Sequence, residues 1–197
     1  MSSDEFNLIL VHPGQTELDE QNRLVGNLDL PLSKSGESQV NLLAKEVASF
    51  DVGLIVCGPS LAAQQTAQQL SQNGEIKIRV EEGLTNLDLG LWHGKSVDEL
   101  KETQPRIFKQ WREHPETVTP PEGEDLVSAI KRVRKAVKWI VKKSRSTNVL
   151  LVAASPLAAI VQSEVLGADL REFWNLSAKC CSCTFLNDSS VRTIQPV

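Results

Sequence analysis

A histidine and two polar side chains follow an apolar run near the start of the chain. Residues 8–11 are Leu-Ile-Leu-Val, and a run without alternation predicts a strand that is buried on both faces. The run stops at His12-Pro13-Gly14, where a loop must begin, and Gln15 and Thr16 come next. Because ligands of open α/β sheets bind beyond the carboxyl ends of strands, we expect a binding site here.

Strands alternate with helices along the rest of the chain. Apolar runs predict buried strands at 52–57 and 148–154, and alternating apolar and basic residues predict an edge or half-buried strand at 76–80. Helical patterns cover 33–50, 60–70, 95–102, 105–113, 124–143 and 156–166. Residues 22–31 form a polar connector, and 181–186 with 191–194 predict a hairpin. This order predicts an α/β fold, a three-layer sandwich with a mainly parallel central sheet and helices on both faces.

The length, the net charge and the apolar runs of the chain argue against some classes of protein. A chain of 197 residues fits one domain, and the net charge of −4 argues against a general nucleic-acid binder, although residues 131–145 concentrate basic side chains. No apolar run reaches the roughly 18 residues of a membrane span, and the acidic first residues lack the pattern of a secretion signal. We therefore expect a single domain over residues 1–197 in the cytoplasm, without membrane or nucleic-acid partners.

The four cysteines predict neither a metal site nor a disulfide. Cys180, Cys181 and Cys183 are clustered and Cys57 lies far upstream, so no two CxxC pairs are present. Adjacent cysteines have Cα atoms about 3.8 Å apart, which is below the usual range for a disulfide. We expect reduced, half-buried thiols, and no metal or other cofactor.

The loop after the first strand resembles a motif of the histidine phosphatase superfamily, the phosphoglycerate mutase-like proteins. In that family the first strand ends in Arg-His-Gly-x-Thr, and Gly14 and Thr16 match its last positions. Further similar segments follow in the family's order: Gly26-x-x-Asp29-x-Pro31-Leu32-Ser33-x-x-Gly36, Pro59 with Gln65-Thr66-Ala67, Leu87-Asp88-Leu89-Gly90-x-Trp92-x-Gly94, and Pro121-x-Gly123-Glu124. The resemblance implies a phosphoglycerate mutase-like fold with a helical lid insertion at about 84–123.

The positions that carry the family's chemistry are substituted in this chain. The family uses a nucleophilic histidine, a second histidine, two phosphate-binding arginines and an acidic proton donor. Compared with the family's motifs, the first arginine is replaced by His12 and the nucleophile by Pro13, and the remaining three positions carry Ala62, Asn86 and Ala154. Proline has neither a nucleophilic atom nor an N–H group, so Pro13 cannot perform the covalent step.

The resemblance also implies which residues surround the remaining pocket. They are His12, Gly14, Gln15, Thr16, Asp19, Asn27, Asn86 and Ser155. Asp19 aligns with an asparagine of the family and adds negative charge near an anion site. We expect this vestigial pocket to be polar without a cationic side chain, and therefore suited to an uncharged ligand.

Three hypotheses follow for the function. The first is a catalytically inactive member of the family, a pseudoenzyme that binds an unknown protein partner or a neutral small ligand. The second is a weak phosphomonoesterase or phosphomutase that uses His12. The third is an oligomeric interaction module, such as a homodimer, whose contact surface includes the basic helix at 131–145 or the C-terminal hairpin.

Overall fold

The computed structural model of the protein describes residues 8–71, 74–167, 180–187 and 190–194. The strands are β1 (Leu8–Val11), β2 (Val52–Cys57), β3 (Ile78–Val80), β4 (Asn148–Val152), β5 (Cys183–Asn187) and β6 (Ser190–Ile194). The helices are α1 (Glu17–Glu20), α2 (Lys34–Val47), α3 (Leu61–Leu70), α4 (Val97–Thr103), α5 (Pro105–Glu113), α6 (Leu126–Ser144) and α7 (Leu157–Leu166). The first seven residues and the hairpin tip at 188–189 lie outside the described ranges.

The strands form one mainly parallel sheet in the order β3-β2-β4-β1-β5-β6. The pairs β2–β3, β2–β4 and β1–β4 are parallel, whereas β5 pairs antiparallel with both β1 and β6. Parallel neighbours need crossover connections, and the intervening helices supply them. The predicted α/β fold is therefore confirmed, and so is the C-terminal hairpin.

Helices cover both faces of the sheet because side chains of the buried strands alternate between two cores. Ile9 and Val11 of β1 join a core formed with α2 and α3, whereas Leu8 and Leu10 join the core beneath α6 and α7. All four side chains are at most 2% exposed. This two-sided burial fixes the end of β1, and hence His12, with respect to both helical layers.

The segment 84–123, expected from the sequence to form a lid, contains α4 and α5. It joins the core through Trp92, which is fully buried and meets Trp111 edge to face with ring centroids 5.0 Å apart. None of the described helices, in this segment or elsewhere, is long and apolar enough to cross a membrane.

Helix α1 is too short for a periodic sequence pattern to predict it. A capping box forms it instead: the hydroxyl of Thr16 accepts from the N–H of Asp19, and the Asp19 carboxylate accepts from the N–H of Thr16. Hydrogen bonds between two of its own residues, Thr16 and Asp19, therefore stabilise the loop after β1.

A close contact between two glycines sets the position of the same loop. A Cβ atom on Gly14 would lie 2.6 Å from the carbonyl oxygen of Gly36, and a Cβ atom on Gly36 would clash with the carbonyl oxygen of Gln15. Gly36 lies in the first turn of α2, and its N–H donates to the hydroxyl of the N-cap residue Ser33. The first turn of α2 can therefore approach the loop only because neither glycine carries a side chain.

We expect Gly36→Ala to lower the free energy of unfolding by about 2 kcal/mol or more, because the added methyl group must displace the backbone of the loop. Denaturant unfolding measures the change. Ser35→Ala, at an exposed neighbouring position of α2, is the matched control and should change stability by less than about 0.5 kcal/mol. Equal stabilities of Gly36→Ala and the parent chain would contradict this account of the contact.

Candidate functional site

One open cavity lies at the carboxyl ends of β1 and β4. Its empty space, part of which is open to solvent, is about 540 Å³. The residues after β1, the residues after β4, the start of α3 and the connector at 22–31 surround it. The described lining residues are His12, Pro13, Gly14, Thr16, Asp19, Val25, Gly26, Leu28, Leu30, Ser60, Ala62, Ala154, Ser155 and Cys180.

The structure brings most of the sequence-predicted site residues to this cavity. His12, Pro13, Gly14, Thr16, Asp19, Ala62, Ala154 and Ser155 all line it, whereas Gln15, Asn27 and Asn86 are not among the described lining residues. The Gln15 side chain turns to α2, where its Oε1 accepts from Nε2 of Gln39 at 2.7 Å. Asn86 belongs to a hydrogen-bond network described below.

Sequence reasoning missed the apolar wall of the cavity. Val25, Leu28 and Leu30 belong to the segment that was interpreted only as a polar connector, and Ser60 and Cys180 come from distant parts of the chain. The available signal was three apolar residues within a loop, since loop residues beside a strand end often line a site. For Ser60 and Cys180 the sequence offered no such signal.

His12 is a buried and neutral imidazole. It is 2% exposed, and burial lowers its pKa from the usual 6.5 to about 4, because the charged form loses its hydration. Its backbone N–H donates to the carbonyl oxygen of Ser182, which continues the β1–β5 pairing beyond the strand. At pH 7 the ring therefore carries no charge and keeps one nitrogen lone pair.

The two ring nitrogens of His12 have different surroundings. Nδ1 lies 3.4 Å from Oγ of Ser155, whereas Nε2 has no hydrogen-bond partner among the described residues and exposes less than 1 Å² of surface. In one neutral tautomer Nδ1–H donates to Ser155 and Nε2 carries the lone pair; in the other Ser155 donates to Nδ1. The first tautomer leaves a lone pair for which no described protein group competes.

Asn86 uses every hydrogen-bonding capacity of its amide. Nδ2 donates to the carbonyl oxygens of Gly26 and Ser155, both at 2.9 Å. Oδ1 accepts from the N–H groups of Leu87 at 3.0 Å and Leu157 at 3.1 Å. The amide therefore joins the connector, the turn after β4 and the first turn of α7, and it has no proton to give to a leaving group.

Arg132 holds the backbone that carries Asn86. Its guanidinium makes two hydrogen bonds with the Glu124 carboxylate, at 2.7 and 2.9 Å, and donates to the carbonyl oxygens of Thr85 and Asn86. Such a bidentate ion pair on a half-buried arginine fixes the geometry of both partners. The arginine nearest to Asn86 is thus a structural residue and does not line the cavity.

The cavity wall is almost free of charge. None of its described lining residues is lysine or arginine, and the carboxylate of Asp19 accepts from both the N–H and the hydroxyl of Thr16, at 2.8 and 2.7 Å. The Cys180 thiol is protonated at pH 7 because burial, and then the Asp19 charge, raise its pKa to about 12. His12 is therefore the one neutral base among the lining residues.

Three of the four cysteines are more deeply buried than the sequence predicts. Cys57, Cys181 and Cys183 are fully buried, since each is at most 2% exposed, whereas the sequence predicted half-buried thiols. Adjacent strands and the helical layers enclose all three. Within the described ranges, no three His, Cys, Asp or Glu side chains cluster closely enough to hold a metal ion.

The lowered pKa of His12 predicts how stability depends on pH. Between pH 6.5 and pH 4 the unfolded chain takes up a proton at His12 that the folded chain does not, so acidification favours unfolding. The His12 contribution should lower the free energy of unfolding by about 2 kcal/mol between pH 7 and pH 5. Denaturant titrations of the parent chain and His12→Asn at both pH values isolate it, and equal pH dependence of the two would contradict the shift.

Replacement of Asn86 tests its structural role. In Asn86→Asp a carboxylate oxygen would face the carbonyl oxygens of Gly26 and Ser155 in place of an N–H donor. We expect a loss of about 2 to 3 kcal/mol in unfolding free energy, since buried acceptors are left without donors. Asn27→Asp is the matched control in the connector, and an equal effect of the two substitutions would argue against the network.

The chain is similar in sequence and in fold to proteins that are named as phosphatases. Phosphoserine phosphatase 1 of Hydrogenobacter thermophilus is 28% identical over 187 residues, which are 95% of this chain and 89% of that protein. A mycobacterial glucosyl-3-phosphoglycerate phosphatase, solved in complex with VO3, is 26% identical with a TM-score of 0.81, covering 96% of this chain and 97% of that chain. The α-ribazole phosphatase of Shigella flexneri shares only the fold, with 17% identity, a TM-score of 0.79 and coverage of 96% and 95%.

These relatives contradict the prediction that the protein is not an enzyme. At 26 to 28% identity over nearly the whole chain, the similar proteins are named as phosphatases. The substitutions at the family's catalytic positions led to that prediction, and the comparisons do not support inactivity. The model of the histidine phosphatase superfamily (branch 1) matches residues 8–192, and the chain belongs to that family.

Proposed function

We propose that the protein is a weak phosphomonoesterase whose nucleophile is His12. The observation that carries the proposal is the neutral imidazole of His12 at the cavity, with Nε2 bonded to no described group. A neutral histidine with a free lone pair is able to form a phosphohistidine. The phosphatase names of the relatives support the same class of reaction.

Hydrolysis of the phosphate ester would proceed in two steps, phosphoryl transfer to His12 and hydrolysis of the phosphohistidine. Nε2 of His12 attacks phosphorus and the bond from phosphorus to the ester oxygen breaks, which releases the alcohol as its oxyanion. Water then attacks the phosphohistidine, which returns the imidazole and orthophosphate. Capture of the phosphoryl group by a second bound hydroxyl in place of water would make the same centre a phosphomutase.

Two features of the site make this activity slow. Nε2 is closed to solvent, so the ring must turn toward the cavity before it can attack. The amide of Asn86 cannot protonate the leaving oxygen, since both of its N–H groups are held by carbonyl oxygens. Without a general acid, rates depend strongly on the leaving group, so aryl esters should react faster than alkyl esters.

Phosphate affinity is also expected to be low. A hydrogen bond to a charged group contributes about 1.5 to 3 kcal/mol, and no lysine or arginine among the described lining residues supplies one. The Asp19 carboxylate adds repulsion. We therefore expect a high KM together with a low kcat.

Hydrolysis of 4-nitrophenyl phosphate tests the proposal. The purified parent chain should show slow turnover, and His12→Asn should lower the rate by at least about 100-fold. His114→Gln removes an exposed imidazole that lies outside the cavity lining, and it should keep the parent rate. Mass spectrometry of rapidly quenched parent protein should find an acid-labile phosphoryl group on His12.

Three results with the parent chain and the His12→Asn variant would contradict the proposal or a part of it. No turnover by the parent chain, or the same residual rate in the parent chain and His12→Asn, would overturn the proposal, since the latter rate would come from a contaminant. Turnover lost in His12→Asn but faster on alkyl than on aryl esters would contradict the assignment of Asn86 as a group that gives no proton.

A further inference from the structure

Two backbone donors of the loop after β1 are already bonded within the chain. The N–H of Gly14 donates to Oγ1 of Thr66 at 3.2 Å, and that of Gln15 to Oε1 of Gln39 at 3.3 Å. Free N–H groups at such loops are the usual cradle of a phosphate. At the loop after β1 these two groups are therefore not available to a phosphate.

The helix N-termini at the cavity are closed in the same way. At the start of α3, the N–H of Leu61 donates to the Asp29 carboxylate at 2.6 Å, and that of Ala62 to the carbonyl oxygen of Leu30 at 3.0 Å. Before α7, Pro156 has no N–H, and the N–H of Leu157 is bound by Asn86. The N–H groups of Leu61, Ala62 and Leu157 are thus occupied by groups of the chain itself, although helix N-termini are ordinarily anion sites.

The connector at 22–31 presents an apolar wall that is fixed before any ligand binds. The carbonyl oxygen of Gly26 accepts from Asn86, and the side chain of Asp29 and the carbonyl oxygen of Leu30 are tied to the start of α3. Val25, Leu28 and Leu30 lie at or next to these attachments, and they line the cavity together with Pro13, Ala62 and Ala154. A wall ordered in advance loses little entropy on binding.

Apart from the Asp19 carboxylate, the polar side chains that line the cavity are few and uncharged. The hydroxyls of Ser60 and Ser155 line the cavity, and the Ser60 hydroxyl makes no capping bond to α3. Ligand sites for small organic molecules are typically lined mainly by apolar side chains, with a few polar groups among them. The lining of this cavity has the same character.

We infer that the cavity recognises the apolar organic part of its ligand and not the phosphate, with Leu28 and Leu30 as specificity-determining residues. Its ligand class is a neutral aromatic or branched aliphatic alcohol, and the phosphate ester of that alcohol is the substrate. The catalytic part of this statement rests on the proposed function, whereas the binding part does not. The free alcohol should therefore bind at least as tightly as orthophosphate.

Binding of benzyl alcohol and of orthophosphate to the parent chain tests the inference without turnover. Calorimetry or a thermal shift should show saturable binding of benzyl alcohol and a weaker response to orthophosphate at equal concentration. Leu28→Asn and Leu30→Asn should each weaken benzyl alcohol binding by about tenfold or more, since a polar side chain replaces apolar contact. Leu42→Asn, at a 43% exposed leucine of α2 outside the cavity lining, is the matched control and should bind like the parent.

The outcomes separate this inference from the proposed function. Benzyl alcohol binding that Leu28→Asn weakens, in a protein without His12-dependent turnover, would support the inference and overturn the phosphatase proposal. Turnover dependent on His12, with equal KM for methyl phosphate and benzyl phosphate, would support the phosphatase proposal and overturn the inference. Tighter binding of orthophosphate than of benzyl alcohol would overturn the inference as well, and so would benzyl alcohol binding that neither leucine variant changes.

Discussion

The buried amide of Asn86 is the interaction on which the geometry of the cavity depends. It is 6% exposed and connects three segments that are far apart in sequence: the connector at Gly26, the turn at Ser155 and the start of α7. Each of these segments follows or faces a strand end, and none is held there by the sheet itself. Because a buried amide must find partners for both donors and both acceptor lone pairs, it permits only one arrangement of the three.

Charge is used in this protein mainly to build structure. Arg132 is bound by Glu124 and by backbone carbonyl groups, and Asp29 closes the start of α3. Asp19 closes the start of α1. The described lining of the cavity therefore includes a neutral histidine, two serine hydroxyls and an apolar wall. The described lining residues include the Asp19 carboxylate and no cationic side chain, so this wall offers no charge that would offset the desolvation of a dianion.

The family of this chain contains proteins named as phosphatases, whereas the substituted positions remove the family's own catalytic residues. The sequence-based prediction of a non-enzyme treated the loss of the family's residues as the loss of any chemistry. The substitutions exclude attack by Pro13, which has no nucleophilic atom, but they do not remove the imidazole at His12. Burial keeps that imidazole uncharged, with a lone pair on one nitrogen. The structure therefore presents a neutral imidazole in a cavity that has no lysine or arginine among its described lining residues.

The sequence by itself determined the mainly parallel sheet, the helices α2 to α7 and the position of the cavity. Unbroken apolar runs at 8–11 and 149–152 indicate strands that are buried between two helical layers, and a binding site is expected in the loops at the carboxyl ends of such strands. Most of the predicted pocket residues line the cavity because they lie in or near these loops. Local patterns of polarity and turn residues are sufficient for these features.

Only the tertiary structure decided what the cavity can bind. Whether the amide of Asn86 is free or saturated depends on carbonyl oxygens about 60 and 69 residues away, and no local pattern encodes those partners. The apolar wall from Val25, Leu28 and Leu30, and the addition of Ser60 and Cys180, likewise arise from packing between distant segments. The pKa of His12 is low because the assembled fold buries the imidazole, and this desolvation is a property of the fold and not of the residue.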